Sequence, residues 1–166
     1  SKYQRETMKT FHGVDSTVIP NGYPPTDNIF SYEDREYFLW VGRLEERLKR
    51  PHLYLDVAEA FPGAEFLLAG PKQGEAYGEL LIERAEDLEN VTYLGSVPPN
   101  DIHQYYQNAI ALINTSKLEG FPNTFLEAWR YATPVLALDV DLNRFLLHEY
   151  PEGFANGQST ELRASV

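Results

Sequence analysis

Two glutamates and two basic residues are the side chains of this sequence whose spacing suggests chemistry. Glu119 and Glu127 stand eight positions apart in the stretch EGFPNTFLEAW, with a Gly-Phe-Pro-Asn-Thr turn between them. Arg43 directly follows a glycine that ends an apolar run, and Lys49 lies six residues further on. Arginine, lysine and the free N–H groups of a helix start are groups that hold phosphate in proteins. These residues point to an anionic ligand, provided that the fold brings them together.

The same residues also have a purely structural interpretation. Thr124 and Glu127 fit the capping box S/T-x-x-E, a frequent motif that satisfies backbone N–H groups at a helix start. The basic cluster at 42–50 could be a solvated surface that its own glutamates neutralise. Glu119 is the residue that capping explains least well. It lies in a loop beside Gly120, where the missing side chain lets the backbone approach a ligand closely.

The composition is that of an ordinary globular protein, and it narrows the classes of function. With 166 residues, 43% of them hydrophobic, the chain is long enough for one domain with a full core. A net charge of -11 argues against a general nucleic-acid or anionic-membrane surface. The lack of cysteine excludes disulfides, thiolate metal sites and a cysteine nucleophile. No apolar run approaches the ~18 residues that a membrane-spanning helix needs, and the first residues resemble no secretory signal.

Motifs for metals and for other nucleotide-binding classes give little support. The four histidines are scattered and lack the H-E-x-x-H spacing of zinc sites. Asp139 and Asp141 flank a single residue and could chelate a divalent ion, but so short a motif often arises by chance in an acidic chain. Neither a Walker A sequence nor G-x-G-x-x-G occurs, so ATPase and NAD-dependent activities lack their usual motif. We expect a site that uses no metal and no cofactor.

A regular alternation of apolar runs and amphipathic segments begins at Tyr37 and predicts the fold. Uniformly apolar strands that alternate with helices are typical of a parallel sheet covered on both faces. Right-handed crossovers then favour a Rossmann-like, doubly wound α/β sheet of about six strands, whose ligands bind at the carboxyl ends of the strands. The predicted strands are 37–42, 65–70, 91–95, 110–114, 134–140 and a short sixth at 152–156. The predicted helices are 52–61, 75–88, 100–109, 124–132 and 142–150.

The first 36 residues stand outside this alternation. They predict a short helix at 3–11, a short strand at 16–20 and a turn-rich linker at 21–28. We therefore place the domain boundary after residue 36, with the Rossmann-like domain at 37–166.

With these motifs in place, the chain resembles the C-terminal, nucleotide-sugar-binding half of retaining glycosyltransferases of the GT-B fold, the group 1 or family 4 set. The segment VIPNG at 18–22 is similar to the entry into that domain. The stretch 39–70 is similar to the family's V-G-R-L…K-(G/R) region. The stretch 90–137 matches its N-V-x-F/Y-L-G, its tyrosine-bearing helix, its E-x7-E and its T-P-V in order and spacing. The likeness covers well over half of the chain.

The resemblance implies a role for each matching residue. Arg43 and Lys49 would hold the donor's diphosphate and stabilise the leaving group. Glu119 would contact hydroxyls of the donor sugar, and Glu127 would bind the ribose hydroxyls. The other donor-binding positions, which would offer mainly backbone to the base, sugar and phosphates, are Gly42, Gly95, Ser96, Val97, Gly120, Phe121, Pro122, Asn123 and Thr124.

The implied activity is transfer of a hexose from a UDP- or GDP-sugar, with GDP-mannose as one candidate, to a glycan or lipid-linked acceptor. The chain would be the donor half of the enzyme and would lack the N-terminal acceptor-binding domain. Its expected location is cytoplasmic, with peripheral attachment to the inner membrane face an option for the full-length enzyme. Its expected partners are the donor, the acceptor and the missing domain, without nucleic acid. The alternatives are a GT-B epimerase relative, or a non-catalytic nucleotide-sugar-binding module in which these residues are caps and surface charges.

Three positions depart from the family pattern. Thr115 stands where the family often has proline. Ala132 stands where the helix after the second glutamate commonly ends in glycine. Because a left-handed cap is costlier for alanine, we expect this helix to end differently. The stretch DVDLNRF at 139–145 replaces a Gly-Gly loop near the sugar, which weakens any inference about sugar identity.

Overall fold

The structure is a computed structural model that describes residues 2–19, 21–27, 29–138, 140 and 154–157. Six strands are formed: β1 (Tyr37–Val41), β2 (Glu65–Ala69), β3 (Val91–Gly95), β4 (Ala109–Asn114), β5 (Val135–Leu138) and β6 (Phe154–Gly157). The α-helices are α1 (Lys2–His12), α2 (Pro51–Ala60), α3 (Glu75–Glu86), α4 (Ile102–Asn108) and α5 (Asn123–Arg130), with a 3-10 turn at Tyr32–Asp34.

The six strands form one parallel sheet in the order β3-β2-β1-β4-β5-β6. This is the order of a doubly wound Rossmann sheet, so the predicted fold is confirmed. The strand order reverses between β1 and β4. The loops that follow these two strands therefore lead away from each other and leave a crevice between them. Ligands of such sheets bind at this switch point, outside the carboxyl ends of the strands.

The core consists of two apolar layers, one on each face of the sheet. Successive side chains of a strand point to opposite faces, and neighbours on β1 accordingly enter different layers. Trp40 lies in the layer covered by α2 and α3, whereas Leu39 lies in the layer covered by α4 and α5. Phe38 and Phe66 stack in the first layer with their ring centroids 5.3 Å apart. The predicted helices on both faces are thus confirmed.

The segment before the sheet agrees only partly with the sequence prediction. The first helix is present, but residues 16–19 adopt no regular structure and do not form the predicted short strand. They are mostly exposed, so no apolar surface draws them into the sheet. The predicted helix at 142–150 lies outside the described residues, whereas the short sixth strand is confirmed as β6. The domain boundary after residue 36 stays a prediction.

The expectation that α5 ends without a left-handed cap is wrong. Ala132 has a φ of 54°, in the left-handed region. The N–H of Thr133 donates to the carbonyl of Ala128 and that of Ala132 donates to Trp129, each at 3.0 Å, which is the Schellman pattern. Thr133 is fully buried and its hydroxyl donates to the carbonyl of Tyr106 at 2.6 Å. Tertiary contacts therefore impose the cap despite its cost of about 1–2 kcal/mol for alanine.

A buried arginine, which no sequence motif singles out, holds this end of α5. Arg35 is 8% exposed, and burial lowers the pKa of its guanidinium. It donates to the carbonyl of Ala109 at 2.8 Å, to the hydroxyl of Thr133 at 2.7 Å and to the carbonyl of Tyr131 at 2.7 Å. A single side chain thus joins the start of β4 to the residues that follow α5.

We expect Ala132→Gly to stabilise the protein by about 0.5–1 kcal/mol. Glycine relieves the left-handed strain, and part of this gain is lost to the greater flexibility of the unfolded chain. Urea denaturation measures the change. Ala76→Gly, at an exposed position in α3, is the matched control and should cost about 0.5–1 kcal/mol. Equal destabilisation by both substitutions would show that no strain resides at Ala132.

Candidate functional site

A cleft of about 320 Å³ opens at the carboxyl ends of the first three strands. Its walls come from the loops after β1, β2 and β3, from the start of α4 and from one side chain of α5. The segment before the sheet contributes Tyr23. The residues of the cleft that bear on its chemistry are Gly42, Arg43, Gly70, Ser96, His103 and Glu127.

Close backbone contacts between strand ends form the floor of this cleft. Gly42 donates its N–H to the carbonyl of Ala69 at 3.0 Å, and Gly70 donates to the carbonyl of Gly95 at 2.8 Å. Gly70 has a φ of 146°, and a Cβ there would lie 1.6 Å from the carbonyl oxygen of Gly42. Only glycine fits this position, because any side chain would push the first two strand ends apart.

A glutamate shapes the loop that follows β1. The carboxylate of Glu45 accepts N–H groups of Arg47 at 2.9 Å, Leu48 at 2.8 Å and Lys49 at 3.3 Å. These bonds, that of Leu48 foremost, lower the pKa of Glu45. Glu45 therefore caps the turn that presents Lys49, a role that the surface-charge interpretation of this cluster did not include.

Thr115 joins the loop after β1 to the loop after β4. It is fully buried, and its hydroxyl accepts the indole N–H of Trp40 at 2.9 Å and donates to the carbonyl of Lys49 at 2.7 Å. Its own carbonyl accepts the Nε–H of Arg50 at 3.1 Å. The two hydroxyl bonds, which a proline could not form, explain why a threonine is accommodated where the family often has proline. The two loops on either side of the switch point are thereby fixed to each other.

This junction brings Lys49 and Glu119 into contact. The Lys49 ammonium forms an ion pair and hydrogen bond with the Glu119 carboxylate, and their side chains are 25% and 14% exposed. Neither residue lines the cleft itself. The pair joins the loop after β1 to the middle of the loop that leads from β4 to α5, so two of the four predicted charged residues meet directly.

Glu127 does not cap α5, so the alternative, capping-box interpretation of this residue is wrong. The helix begins at Asn123 with Pro122 as the residue before it, and no side chain caps it. The Glu127 carboxylate lines the cleft instead. Its Oε2 accepts the hydroxyl of Tyr106 at 2.7 Å, and its Oε1 accepts the hydroxyl of Tyr23 at 3.0 Å. Two phenol hydroxyls offer stronger, better-placed donors than the backbone N–H groups of the first turn.

The two tyrosines remain protonated hydrogen-bond donors at neutral pH. Burial raises the pKa of Tyr106 well above 10, and the nearby Glu127 carboxylate adds to the shift. Burial and the hydrogen bond to Glu127 also raise the pKa of Tyr23. Because each phenol keeps its proton, each can donate a hydrogen bond to the Glu127 carboxylate.

The predicted site residues fall into two adjoining groups. Gly42, Arg43, Ser96, Val97 and Glu127 line the cleft. The others do not line it. They lie on loops (Lys49, Glu119, Gly120, Phe121 and Pro122), at the end of β3 (Gly95) and at the start of α5 (Asn123 and Thr124).

Among the residues not predicted as site residues from the sequence, Tyr23 and His103 line the cleft, and Tyr106 bonds the Glu127 carboxylate from the core. Tyr23 lies in a linker whose composition carries no periodicity. Tyr106 was recognised only as part of a tyrosine-bearing helix, and its hydroxyl is directed by the tertiary packing of α4 against α5. His103 lines the cleft, and its buried Nδ1 has no hydrogen-bond partner among the described residues.

The described part of the chain contains no cluster of three or more acidic or histidine side chains that could hold a metal ion. Asp139 and Asp141 lie outside the described residues. Within the same part, none of the helices has the length and hydrophobicity needed to cross a membrane.

The comparisons with known proteins agree with this fold. A model of the family Glycosyl transferases group 1 matches residues 27–160. The chain belongs to this family, and its fold is one half of the GT-B architecture.

Similar proteins cover this chain along most of its length. It is 32% identical over 159 residues to a D-inositol 3-phosphate glycosyltransferase of Mycobacteroides abscessus, a match that covers 84% of this chain and 36% of the relative. Its fold is similar to a mutant of S. aureus TarM in complex with fondaparinux, alpha-GlcNAc-glycerol and UDP, with a TM-score of 0.77 and 19% identity over 99% of this chain and 34% of that one. Anabaena HepE in complex with UDP and glucose gives a TM-score of 0.66 and 22% identity over 81% of this chain and 38% of that one. The chain thus spans little more than a third of each.

We expect Thr115→Val to destabilise the protein by about 2 kcal/mol. The substitution keeps the shape but leaves the Trp40 indole N–H and the Lys49 carbonyl without their buried partner. Chemical denaturation measures the loss, and Thr115→Ser should restore most of it. Thr92→Val, at an exposed position on β3, is the control and should stay within about 0.5 kcal/mol of wild type. A Thr115→Val protein as stable as this control would show that the junction contributes nothing.

Proposed function

We propose that this chain is the donor-binding domain of a retaining glycosyltransferase, which transfers a hexose from a nucleoside diphosphate sugar to a glycan or lipid-linked acceptor. The observation that carries the proposal is the Glu127 carboxylate, which faces the cleft at the switch point of the sheet instead of capping its own helix. There it can accept the ribose hydroxyls of a donor nucleotide. Membership of the Glycosyl transferases group 1 family supports the reaction class.

Positive charge for the donor's diphosphate comes from Arg43 and Lys49. Arg43 lines the cleft at the end of β1, and its guanidinium can bind two phosphate oxygens at once. Lys49 lies on the turn that Glu45 caps and adds a point charge. Both charges would stabilise the diphosphate as it departs, which is the electrostatic task that a metal ion performs in other transferases. We therefore propose a reaction that needs neither metal nor cofactor.

The sugar and the base would be held by the surrounding loops. Glu119 would accept hydroxyls of the sugar while its partner Lys49 turns to the phosphate. The backbone of Gly120 to Thr124 would offer N–H groups to the sugar and phosphates, and the backbone at Gly95, Ser96 and Val97 would meet the base.

The proposed chemistry needs no nucleophile from the protein. The bond between the anomeric carbon and the diphosphate oxygen breaks, and the acceptor oxygen bonds to the same face of that carbon. The acceptor's proton passes to the departing phosphate. The acceptor would be held by a second domain of the whole protein. We propose that the whole protein acts in the cytoplasm.

UDP is the first candidate for the donor nucleotide. TarM and HepE were both solved with UDP, and HepE also with glucose. GDP, including GDP-mannose, is the second candidate. A non-catalytic nucleotide-sugar-binding module is the alternative function, and the ion pair between Lys49 and Glu119 favours it, because each charge already has a structural partner.

We expect Glu127→Ala to weaken UDP or GDP binding by about ten- to a hundredfold, the loss of one or two hydrogen bonds to a charged acceptor. Isothermal titration calorimetry measures the affinity, and a thermal melt confirms that the variant is folded. Glu86→Ala, at an exposed position on α3, is the control and should bind as wild type does. Equal affinities of the two variants would reduce Glu127 to a structural residue.

Arg43→Ala should separate phosphate recognition from nucleoside recognition. We expect about a tenfold loss of affinity for UDP and no change for uridine, because only the diphosphate contacts the guanidinium. GDP and guanosine form the second pair of probes, and NMR chemical-shift titration follows the weak nucleosides. A parallel loss for nucleoside and diphosphate would place Arg43 against the base or ribose and contradict its assigned role.

A further inference from the structure

We propose that Tyr23, supplied by the segment before the sheet, is a positioning residue that orients Glu127 for the ribose of the donor. Together with Tyr106 it would fix the carboxylate so that each oxygen keeps one free acceptor position for a vicinal diol. This inference rests on the proposed function, since the diol in question is that of a nucleoside diphosphate.

Tyr23 and Tyr106 together form a clamp on Glu127, in which each tyrosine hydroxyl donates to one oxygen of the carboxylate. Tyr23 donates to Oε1 at 3.0 Å, and Tyr106 donates to Oε2 at 2.7 Å. A carboxylate oxygen has two lone-pair directions, so one position on each oxygen remains for a ligand. Two neighbouring hydroxyls of a sugar ring can donate to these two positions side by side. Rotation of the carboxylate would break both tyrosine bonds, and the geometry that suits a diol is therefore the favoured one.

Tyr23 is held in place although its segment has no regular structure. The Arg130 guanidinium lies 5.8 Å from the centroid of its ring, within the range of a cation–π contact. Two residues earlier, the side-chain amide of Asn21 donates to Oδ1 of Asn123 at 2.9 Å. The segment is thus tied to both ends of α5, and the Tyr23 side chain, 38% exposed, becomes one wall of the cleft.

Tyr106 supplies the rigid half of the clamp. It is fully buried, and its backbone carbonyl accepts the hydroxyl of Thr133 at 2.6 Å. Thr133 in turn accepts a bond from the buried Arg35 at 2.7 Å. Removal of the two hydroxyls should therefore destabilise the fold to different extents. That of Tyr106 lies in the core, whereas that of Tyr23 lies at the edge of the cleft. Tyr23 is the residue at which binding and folding can be tested separately.

The decisive experiment compares ribose with deoxyribose ligands. Calorimetry would measure the affinities of UDP and GDP, and of their 2′-deoxy and 3′-deoxy counterparts, for wild type and Tyr23→Phe. We expect the ribo-over-deoxy preference to fall about three- to tenfold in Tyr23→Phe, since Oε1 loses its orienting bond. The same fall should appear in Tyr106→Phe if that variant folds. Tyr77→Phe is the matched control, because its hydroxyl bonds Nδ1 of His52 at 2.9 Å and it does not line the cleft.

The outcomes separate this inference from the proposed function. An unchanged preference for ribose over deoxyribose ligands in Tyr23→Phe would overturn the inference. Tyr23 would then only line the cleft. Tighter binding of every ligand to Tyr23→Phe would also overturn it, because Tyr23 would then cover Glu127 and compete with the ribose. A wild-type protein that binds UDP or GDP without preferring ribose would refute the inference and the ribose-binding role of Glu127, while leaving nucleotide binding by this domain in place. A wild-type protein that binds neither would refute the proposed function, and the inference with it.

A double-mutant cycle is a second test of the positioning role of Tyr23. If Tyr23 acts through Glu127, removing its hydroxyl should change the preference much less in a Glu127→Gln background than in wild type. Additive effects would show that Tyr23 contacts the ligand independently of Glu127 and would overturn the positioning role.

Discussion

One buried hydroxyl, that of Thr115, fixes the geometry on which the site depends. In a doubly wound sheet, the loops after β1 and β4 diverge at the switch point. A ligand can bind there only if these loops are held in a fixed position relative to each other. The Thr115 hydroxyl bonds Trp40 under one loop and the carbonyl of Lys49 within it. Leaving either partner unsatisfied in the core would cost about 1–3 kcal/mol, so the loops have one strongly preferred arrangement. The contact between Lys49 and Glu119 is a consequence of that arrangement.

The sheet could be predicted from the sequence because its information is local. Each strand is a short apolar run and each covering helix has its own periodicity, so pattern alone defines the order of elements. The end of α5 shows where local rules fail. Alanine is a poor left-handed cap, yet Ala132 adopts that conformation because the buried Thr133 next to it is bonded to Tyr106 and Arg35. A preference of about 1–2 kcal/mol is readily outweighed by several buried hydrogen bonds.

The site was predictable to the extent that it lies at strand ends. Arg43 and Glu127 line the cleft as the sheet topology suggests. The pairing of Lys49 with Glu119 was not predictable, since it joins residues 70 positions apart through a third residue, Thr115. The role of Tyr23 was even less predictable, because its segment has neither periodicity nor a motif of its own. A capping box in the sequence also drew attention to the wrong partner for Glu127, whose carboxylate bonds two phenols instead of the backbone.

The charges of the site explain how an acidic chain could bind an anionic donor. The chain carries a net charge of -11, and two of its carboxylates, those of Glu119 and Glu127, belong to the proposed donor site. The contact with Lys49 offsets the Glu119 charge, whereas the hydrogen-bond donors to Glu127 among the described residues are the uncharged hydroxyls of Tyr23 and Tyr106. Electrostatic repulsion then disfavours phosphate near Glu127 and favours hydroxyl donors there. In the proposed function the same charge pattern therefore orients the donor, with its ribose at α5 and its diphosphate towards Arg43 and Lys49.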